Sequence, residues 1–560
     1  MLTTVLREAV ARAAVKNGFP LAQGVALDPT RVPLEVPRHG SHGDYATNLA
    51  LAVAKAVGQP PRQVAEALVA SLDLGPDVLE NATVAGPGFV NFRLSQARLG
   101  EDLARAVESA EAWGTWPGEG AAAAAPPILV EYVSANPTGP MNVVNARAAA
   151  VGAALVRLYR AAGRRADGEF FVNDAGRQVD LLGASVAARF RELQGQPAEF
   201  PEDGYQGTYV ADLAAEVPVA DGLAALGRAD GDWFRDFALE RMLAWQERSL
   251  AAYGTVFDRW SRESALHASG ALATTRADLE KSGHVYEHDG ATWFRSSAFG
   301  DEKDRVLVRS NGEPSYYLAD IAYHRDKAAR GYAQALDLWG PDHHGHVARM
   351  QAAMTALGLP APFLRVTIVQ FVPLVSRGEL VKMSKRAGEF ITLDDLLAEV
   401  GADCAKFFFL MRSTNSHLDF DLDLAKSQNN DNPAYYVQYA HARVASVLRV
   451  AAEKGLLPPA SPAERRAAAA LLVAPEERAL LVAVAHFPEL VRGAAEAEEP
   501  HRVTTFLAQV AAAFHQFYHE HRIVTDDLER SRARLLLVRG VQQTIHNGLA
   551  LLGVTAPERM

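Results

Sequence analysis

Cysteine is almost missing from this chain: Cys404 is the only one in 560 residues. A single thiol excludes an internal disulfide framework and any Cys-rich zinc site, and it fits a reducing compartment. Cys404 itself reads as packing within the run Cys404–Met411. Long hydrophobic runs are missing as well, since every apolar stretch is broken by charge or proline before the ~18 residues that a spanning helix needs. The opening segment Met1–Phe19 carries Arg7, Glu8, Arg12 and Lys16 at helical spacing, so it reads as neither a signal peptide nor a membrane anchor. An excess of positive charge is also absent. The formal net charge of −11 argues against indiscriminate attraction to nucleic acid or anionic lipid, while leaving room for a local basic face. No repeat of fixed period is visible. A cytoplasmic protein is expected, with no membrane partner.

What the chain does have is material for a large core: 49% of its residues are hydrophobic and 22% charged, a balance unlike that of disordered chains. Its length allows roughly three to five domains of ~100–200 residues. Up to about Leu94, helical patterns (Tyr45–Gly58, Pro61–Leu72) mix with a strand-like Val84–Leu94 interrupted by Gly86-Pro87-Gly88, which predicts a small α+β domain. Gly114–Pro127, rich in glycine, alanine and proline, reads as a linker, and the first domain is set at 1–118.

A strand, a tight loop and a long helix follow: Ile128–Val133, then Asn136-Pro137-Thr138-Gly139-Pro140, then about Asn142–Ala162. This is the opening of a nucleotide-binding βα unit, and the helix start offers backbone N–H groups and a dipole to a phosphate or carboxylate. A second unit runs through Ala335–Trp339, Gly340-Pro341-Asp342, a helix to Leu357 and a strand at Arg365–Val372. Between them, about 174–309 reads as an insertion within one parallel sheet, with an Asp289-Gly290 hairpin turn. The sheet domain is set at 119–412. Residues 413–560 show persistent helical spacing and predict an all-α bundle. The expected fold is therefore α/β: a Rossmann-type parallel sheet with an insertion, a small N-terminal α+β domain and a C-terminal helical bundle.

Lys382-Met383-Ser384-Lys385-Arg386, with Gly388 just beyond, gathers cations on a short loop before a helix, an arrangement that grips polyphosphate. Glu131, Asp320 and Asp342 supply acceptors beside Tyr316 and Asn136, and a planar guanidinium is the donor that carboxylates bind bidentately. The cluster His343, His344 and His346 lacks a second group of ligands at metal spacing, so no metal site is assigned. Tyr435, Tyr436, Tyr439, Arg443 and Arg449, and more loosely Tyr518, Arg522, Arg532 and Arg534, interleave aromatic and basic groups as nucleic-acid surfaces do. The bland readings are a salt bridge for Glu131, a helix-cap acid for Asp320, core packing for Tyr436 and Tyr439, and a solvated helix face for His515 and His519.

Lys382–Lys385 resembles the signature loop of class I aminoacyl-tRNA synthetases, and Glu131-Tyr132-Val133-Ser134-Ala135-Asn136-Pro137-Thr138-Gly139-Pro140 is similar to the stretch leading into the other signature in the arginyl-tRNA synthetases. Tyr316–Arg325, Gly340–Arg349, and Phe420–Asp423 with Asp431–Arg443 resemble further stretches of that family, in order from about His42 to Met560. The resemblance implies ATP with Mg²⁺, L-arginine and tRNA(Arg) as partners, and a monomer. It implies that Lys382, Lys385, Asn142 and Asn145 act in catalysis. Gly139, Pro140, Asn142, Val143, Val144, Asn145, Lys382, Met383, Ser384, Lys385 and His343 would line the ATP site. Glu131, Ser134, Asn136, Tyr316, Asp320 and Asp342 would hold arginine, and Tyr45, Phe89, Asn91, Tyr436, Arg443, Tyr518 and Arg522 would touch tRNA. One departure stands out. Where the family has His, an aliphatic residue, Gly and His, this chain has Asn142-Val143-Val144-Asn145. Asparagine amides preserve donors, whereas Val144 adds bulk where the family leaves room for adenine. A degenerate relative that binds tRNA or arginine without activation is therefore the alternative reading.

Overall fold

The computed structural model describes residues 2–19, 28–37, 42–116, 126–381 and 391–560. The N-terminal unit contains α1 (Leu2–Lys16), β1 (Tyr45–Thr47), α2 (Leu49–Val57), α3 (Pro61–Ala70), β2 (Leu79–Ala85) and β3 (Phe89–Leu94). Its antiparallel sheet has the order β1-β3-β2. The helix expected from Tyr45 starts only at Leu49: Tyr45–Thr47 pairs with Val90–Phe92, and the Thr47 hydroxyl donates to Pro33 O, which holds the segment extended. Gly86-Pro87-Gly88 is the turn between β2 and β3. Helix α4 (Gln96–Ser109) then leads out of the unit, capped by Ser95.

The central sheet is built from β4 (Ile128–Glu131), α5 (Val143–Ala161), β5 (Ala166–Val172), the helices α6 (Arg177–Leu193), α7 (Thr208–Ala215), α8 (Val219–Gly227) and α9 (Gly231–Ala252), and β6 (Arg259–Arg262). There follow α10 (Glu263–Ala268), α11 (Ala271–Lys281), β7 (Val285–His288), β8 (Ala291–Phe294), β9 (Arg305–Val308), α12 (Tyr316–Ala329), β10 (Gln334–Trp339), α13 (Val347–Ala356) and β11 (Leu364–Ile368). The five parallel strands run β11-β10-β4-β5-β6. The chain works outward from β4 through β5 to β6 and then returns to lay β10 on the other side of β4. Loops at the carboxyl ends of β4 and β10 therefore diverge, and a crevice opens between them.

The stretch expected as one insertion is two excursions. β6, inside it, pairs in parallel with β5 and belongs to the sheet. Its sequence Arg-Trp-Ser-Arg hides this, because an edge strand need not carry the apolar run of a buried one. The predicted hairpin is present, with Asp289 and Gly290 both at positive φ (50° and 73°), as a two-residue turn of type I′ requires. Tyr132 leaves β4 buried against α5. A Cβ on Gly152 would stand 2.1 Å from its ring, so glycine in mid-helix is what lets strand and helix close.

Beyond the sheet come β12 (Leu374–Ser376), β13 (Glu379–Leu380), α14 (Leu393–Val400), α15 (Ala402–Phe409), β14 (Phe420–Asp421) and α16 (Leu422–Lys426). The bundle consists of α17 (Pro433–Glu453), α18 (Pro462–Ala469), α19 (Pro475–Ala497), α20 (His501–Glu520) and α21 (Leu528–Leu552). One continuous core joins the N-terminal unit, the sheet and the bundle, and two smaller cores lie around α11–α13 and among α6–α9. Among the described residues, no helix is long and apolar enough to cross a membrane. The cationic segment Lys382-Met383-Ser384-Lys385 and the middle of the linker (117–125) lie outside the described residues.

Candidate active site

Three neighbouring strands each place an acid at the same level, and the register lines them up: Asp337 of β10 faces Glu131 of β4, which faces Glu169 of β5. Three buried carboxylates in a row repel one another, and α12 answers them with a cationic face. Lys327 Nζ donates to Glu131 Oε2 at 2.5 Å and Asp337 Oδ1 at 2.9 Å, and lies 4.4 Å from the Tyr323 ring centroid. Arg330 meets both oxygens of Glu169, at 2.7 and 3.0 Å. His324 has Asp337 Oδ2 at 2.6 Å from Nε2 and Asp320 O at 2.7 Å from Nδ1. Both partners are oxygens, so each ring nitrogen has an acceptor in reach for a proton that it carries.

Burial alone pushes Lys327 toward the neutral amine, but Asp337 and Glu131 outweigh it and hold the ammonium charged. Burial likewise pushes Asp337 up, and Lys327 and His324 bring its carboxyl down to about 2. Glu131, His324 and Asp337 converge closely enough to hold a cation. The Lys327 ammonium already takes that place.

At the crevice floor, Val133 and Ser134 both have positive φ (71° and 38°), which is rare for a β-branched residue. The twist turns the Ser134 hydroxyl back to donate to Glu131 Oε1 (2.9 Å) while it accepts from Phe171 N (3.1 Å). Glu131 thus spends one oxygen on Ser134 and the other on Lys327. Asn136 bridges Asn173 and Gln178 through its amide, at 3.0 and 2.8 Å. Asp320 is different. Among the described residues its carboxylate has no hydrogen-bond donor, and burial pushes its pKa up to about 6 against the pull of His324. Tyr316 is exposed at the first turn of α12, and Asp342 and His343 are exposed on the short turn Pro341–His346.

Helix α5 begins at Val143 with Asn142 as its cap. Asn142 Oδ1 accepts from the N–H groups of Val144 and Asn145, and Asn145 Oδ1 accepts from Asn142 N. Val143 N donates to Ile391 O. The first-turn N–H groups expected to be open to an anion are therefore taken, and what each of the two asparagines keeps as a donor is its side-chain NH₂. Val143 is fully buried and Val144 packs against the core, so neither turns its whole side chain to the crevice. The loop ahead of them is braced from outside: Gln246 Nε2 of α9 donates to Asn136 O and Gly139 O, and the Tyr209 hydroxyl of α7 donates to Thr138 O. Nothing in the patterns of α7 and α9 marked these residues.

On the bundle, Tyr435, Tyr436, Tyr439, Arg443, His515 and Tyr518 line an open groove of ≈720 Å³ together with Asn429 and Asn430. The Arg443 guanidinium sits 4.6 Å from the Tyr439 ring and 4.8 Å from the Tyr518 ring, and His515 stacks on Tyr439. His515 is thus half-buried among rings and not on a solvated face. Arg522 lines an adjoining groove of ≈930 Å³ with Arg449, Lys454 and Arg559. In the N-terminal unit Tyr45 is 2% exposed because its ring packs against His486 of the bundle, and Asn91 is 8% exposed in β3. Those two side chains, expected to touch tRNA, are buried in the protein. Phe89 remains partly exposed.

A crevice at the switch point of a parallel sheet, followed by a helical bundle, is the architecture of the class I aminoacyl-tRNA synthetases. The methionyl-tRNA synthetase of Mycobacterium tuberculosis shares the fold at a TM-score of 0.53 and 16% identity, over 78% of this chain and 92% of that one. The profile of the arginyl tRNA synthetase N terminal domain matches residues 1–94, and that of the DALR anticodon binding domain matches residues 437–560. An arginine–tRNA ligase of Moorella thermoacetica is 46% identical over 537 residues, covering 94% of this chain and 93% of that protein. The arginyl-tRNA synthetase of Thermus thermophilus superposes over the whole of both chains, with a TM-score of 0.78 and 25% identity. The chain belongs to the arginyl-tRNA synthetase family.

Proposed function

We propose that the chain ligates arginine to tRNA through arginyl-AMP, formed in the crevice between β4 and β10. The observation that carries this reading is Asp320: among the described residues its half-buried carboxylate has no hydrogen-bond donor, which is costly, and a guanidinium offers it paired donors. Tyr316 and Asp342 flank the same pocket mouth, while Ser134 and Asn136 meet the α-amino and carboxyl groups. Glu131 acts through Ser134, since both its oxygens are engaged. The arginine carboxylate attacks the α-phosphorus of ATP, the bond to the β-phosphate breaks, and pyrophosphate leaves. A terminal ribose hydroxyl of tRNA then attacks the carbonyl carbon and AMP departs. Mg²⁺ enters with the nucleotide as part of the substrate. The amides of Asn142 and Asn145 donate toward the phosphates, with Gly139, Pro140, Val143, Val144 and His343 around the nucleotide and Lys382, Met383, Ser384 and Lys385 assigned to the same site. Positioning and charge stabilisation suffice, with no covalent protein intermediate.

The relatives over nearly the full length support activity rather than a binding-only role. The decisive assay is arginine-dependent pyrophosphate exchange with tRNA present, comparing this chain with an Asn142→His, Val144→Gly, Asn145→His variant. Exchange by the unaltered chain is expected; exchange only in the variant would favour the degenerate reading. Lys385→Ala should slow exchange by about 10²-fold, the usual loss when one charge-stabilising donor is removed. Unchanged exchange would remove the lysine segment from the mechanism.

We further propose that 413–560 reads the anticodon arm through the Tyr436–Arg443–Tyr518 groove and Arg522, and that 1–118 touches the outer part of the tRNA through Phe89, in a cytoplasmic monomer. Arg443→Ala should weaken tRNA binding about tenfold and lower the salt slope by about one phosphate contact. Fluorescence titration across a KCl series measures both. An effect on KM for arginine alone would contradict this assignment.

A further inference from the structure

One helix touches both walls of the crevice. Helix α9 is anchored by its own core, where Phe234, Ala238 and Met242 pack among α6–α8 and the Trp245 ring lies against them, yet the Trp245 N–H and the side chains of Gln246 and Ser249 make their hydrogen bonds outside that core. Gln246, wholly buried, holds the carbonyls of Asn136 and Gly139 on the β4 side, at 3.0 and 2.8 Å. Trp245 Nε1 and Ser249 Oγ each donate to Asp394 Oδ2, both at 2.9 Å. Asp394 lies in the first turn of α14, directly after the segment that follows the lysines.

An acid there ordinarily serves its own helix end, a task that Asp395 performs here by returning to Thr392 N and Oγ1. Asp394 is free to face α9. The two walls also touch directly: Leu393 N donates to Met141 O at 2.8 Å, and Asn142 and Thr392 form an isolated antiparallel bridge. Two peptide contacts and the buried Leu393 and Leu396, which share the core with Val143 and Ala146 of α5, join the walls from inside, and a grip from outside adds a further restraint on their relative setting. The spacing on α9 provides the grip. Trp245 and Ser249 are four residues apart and share a face, while Gln246 stands about 100° round from Trp245.

We propose that Trp245, Gln246 and Ser249 are positioning residues: Trp245 and Ser249 through Asp394, and Gln246 through the carbonyls of Asn136 and Gly139, set Ile391–Leu393 against the start of α5 and so fix the helix start that faces ATP. The inference rests on the functional reading above. Trp245→Phe keeps the ring and removes only the N–H; Ser249→Ala removes only the hydroxyl. The Trp245→Phe, Ser249→Ala double variant should raise KM for ATP about tenfold in tRNA-dependent pyrophosphate exchange, with KM for arginine within twofold of the starting value. Asp394→Ala should do the same, and combining it with the double variant should add nothing, because all three changes remove one shared contact. Gln246→Met should raise KM for ATP from the other wall.

A lower melting temperature with both KM values unchanged would mean a merely structural contact and would overturn the proposal, as would equal rises in both KM values or additive effects with Asp394→Ala. If the unaltered chain shows no exchange at all, the functional reading fails and the clamp with it. An active parent with kinetically silent variants sinks the clamp alone.

Discussion

Lys327→Met should destabilise the protein by about 3–5 kcal/mol, the range expected when one partner of a buried ion pair is removed. The ammonium is 0% exposed and lies between two carboxylates from adjacent strands. Methionine fills the same volume but leaves Glu131 and Asp337 facing each other across the register with no cation between them. Part of the loss should return when the excess anion is removed too: Lys327→Met with Asp337→Asn should recover about half of it. The midpoint of urea unfolding, followed by near-ultraviolet signals of the sheet domain, measures both. A midpoint unmoved by Lys327→Met would show that the acid row is neutralised some other way. The functional consequence travels through Ser134, whose hydroxyl loses a fixed acceptor once Glu131 protonates or turns.

That row also shows where sequence reading stops. Each acid was visible as a charge in a strand-like run, alone in Ile-Leu-Val-Glu and Ala-Leu-Asp-Leu-Trp and beside a second acid in Ala-Asp-Gly-Glu-Phe-Phe-Val. Their alignment depends on register, which the runs do not specify. His324 and Lys327 on α12 and Arg330 at its C-cap lie at intervals of three, and that spacing is the signal that was available. It goes unread because a lysine near a helix end is usually solvated there. Parallel strands 4 and 10 were legible from their apolar runs, while β6, short and polar at a sheet edge, was not. The asparagines at 142 and 145 were legible as surviving donors, yet their use of oxygen as a helix cap, which decides where the NH₂ groups point, needs the backbone. Tyr45 next to glycine and aspartate looks like a surface tyrosine, and only the arrival of α19 buries it. The brace from α9 is the least legible element: Trp245, Gln246 and Ser249 sit in an ordinary amphipathic helix, and their targets lie more than a hundred residues away in both directions.

Asp320→Asn should lower kcat/KM for arginine by about 10³-fold while leaving KM for ATP in place, because truncating one member of a buried charged pair costs several kcal/mol. Asparagine keeps the size and one acceptor, so the loss reports the charge. A pH series separates this carboxylate from its neighbours. With its pKa raised to about 6, Asp320 is protonated in the free protein below that value and cannot pair with a guanidinium as an anion. Hence kcat/KM for arginine should fall about tenfold for each pH unit below 6 and level off above it, and the Asn variant should lose that slope. The same shift acts on stability. Below pH 3.8 the group is protonated in the folded and unfolded chains alike and costs nothing. Between pH 3.8 and about 6 the unfolded chain ionises this carboxyl while the folded protein still keeps it protonated, so a penalty builds up to the order of 3 kcal/mol and stays constant above about 6. Asp320→Asn should therefore raise the melting temperature of the arginine-free protein at pH 7.5 but leave it unchanged near pH 4, and saturating arginine should stabilise the parent far more than the variant. If the variant keeps both its arginine affinity and the pH slope, the guanidinium binds elsewhere, and Asp342 at the mouth of the same crevice is the next carboxylate to test.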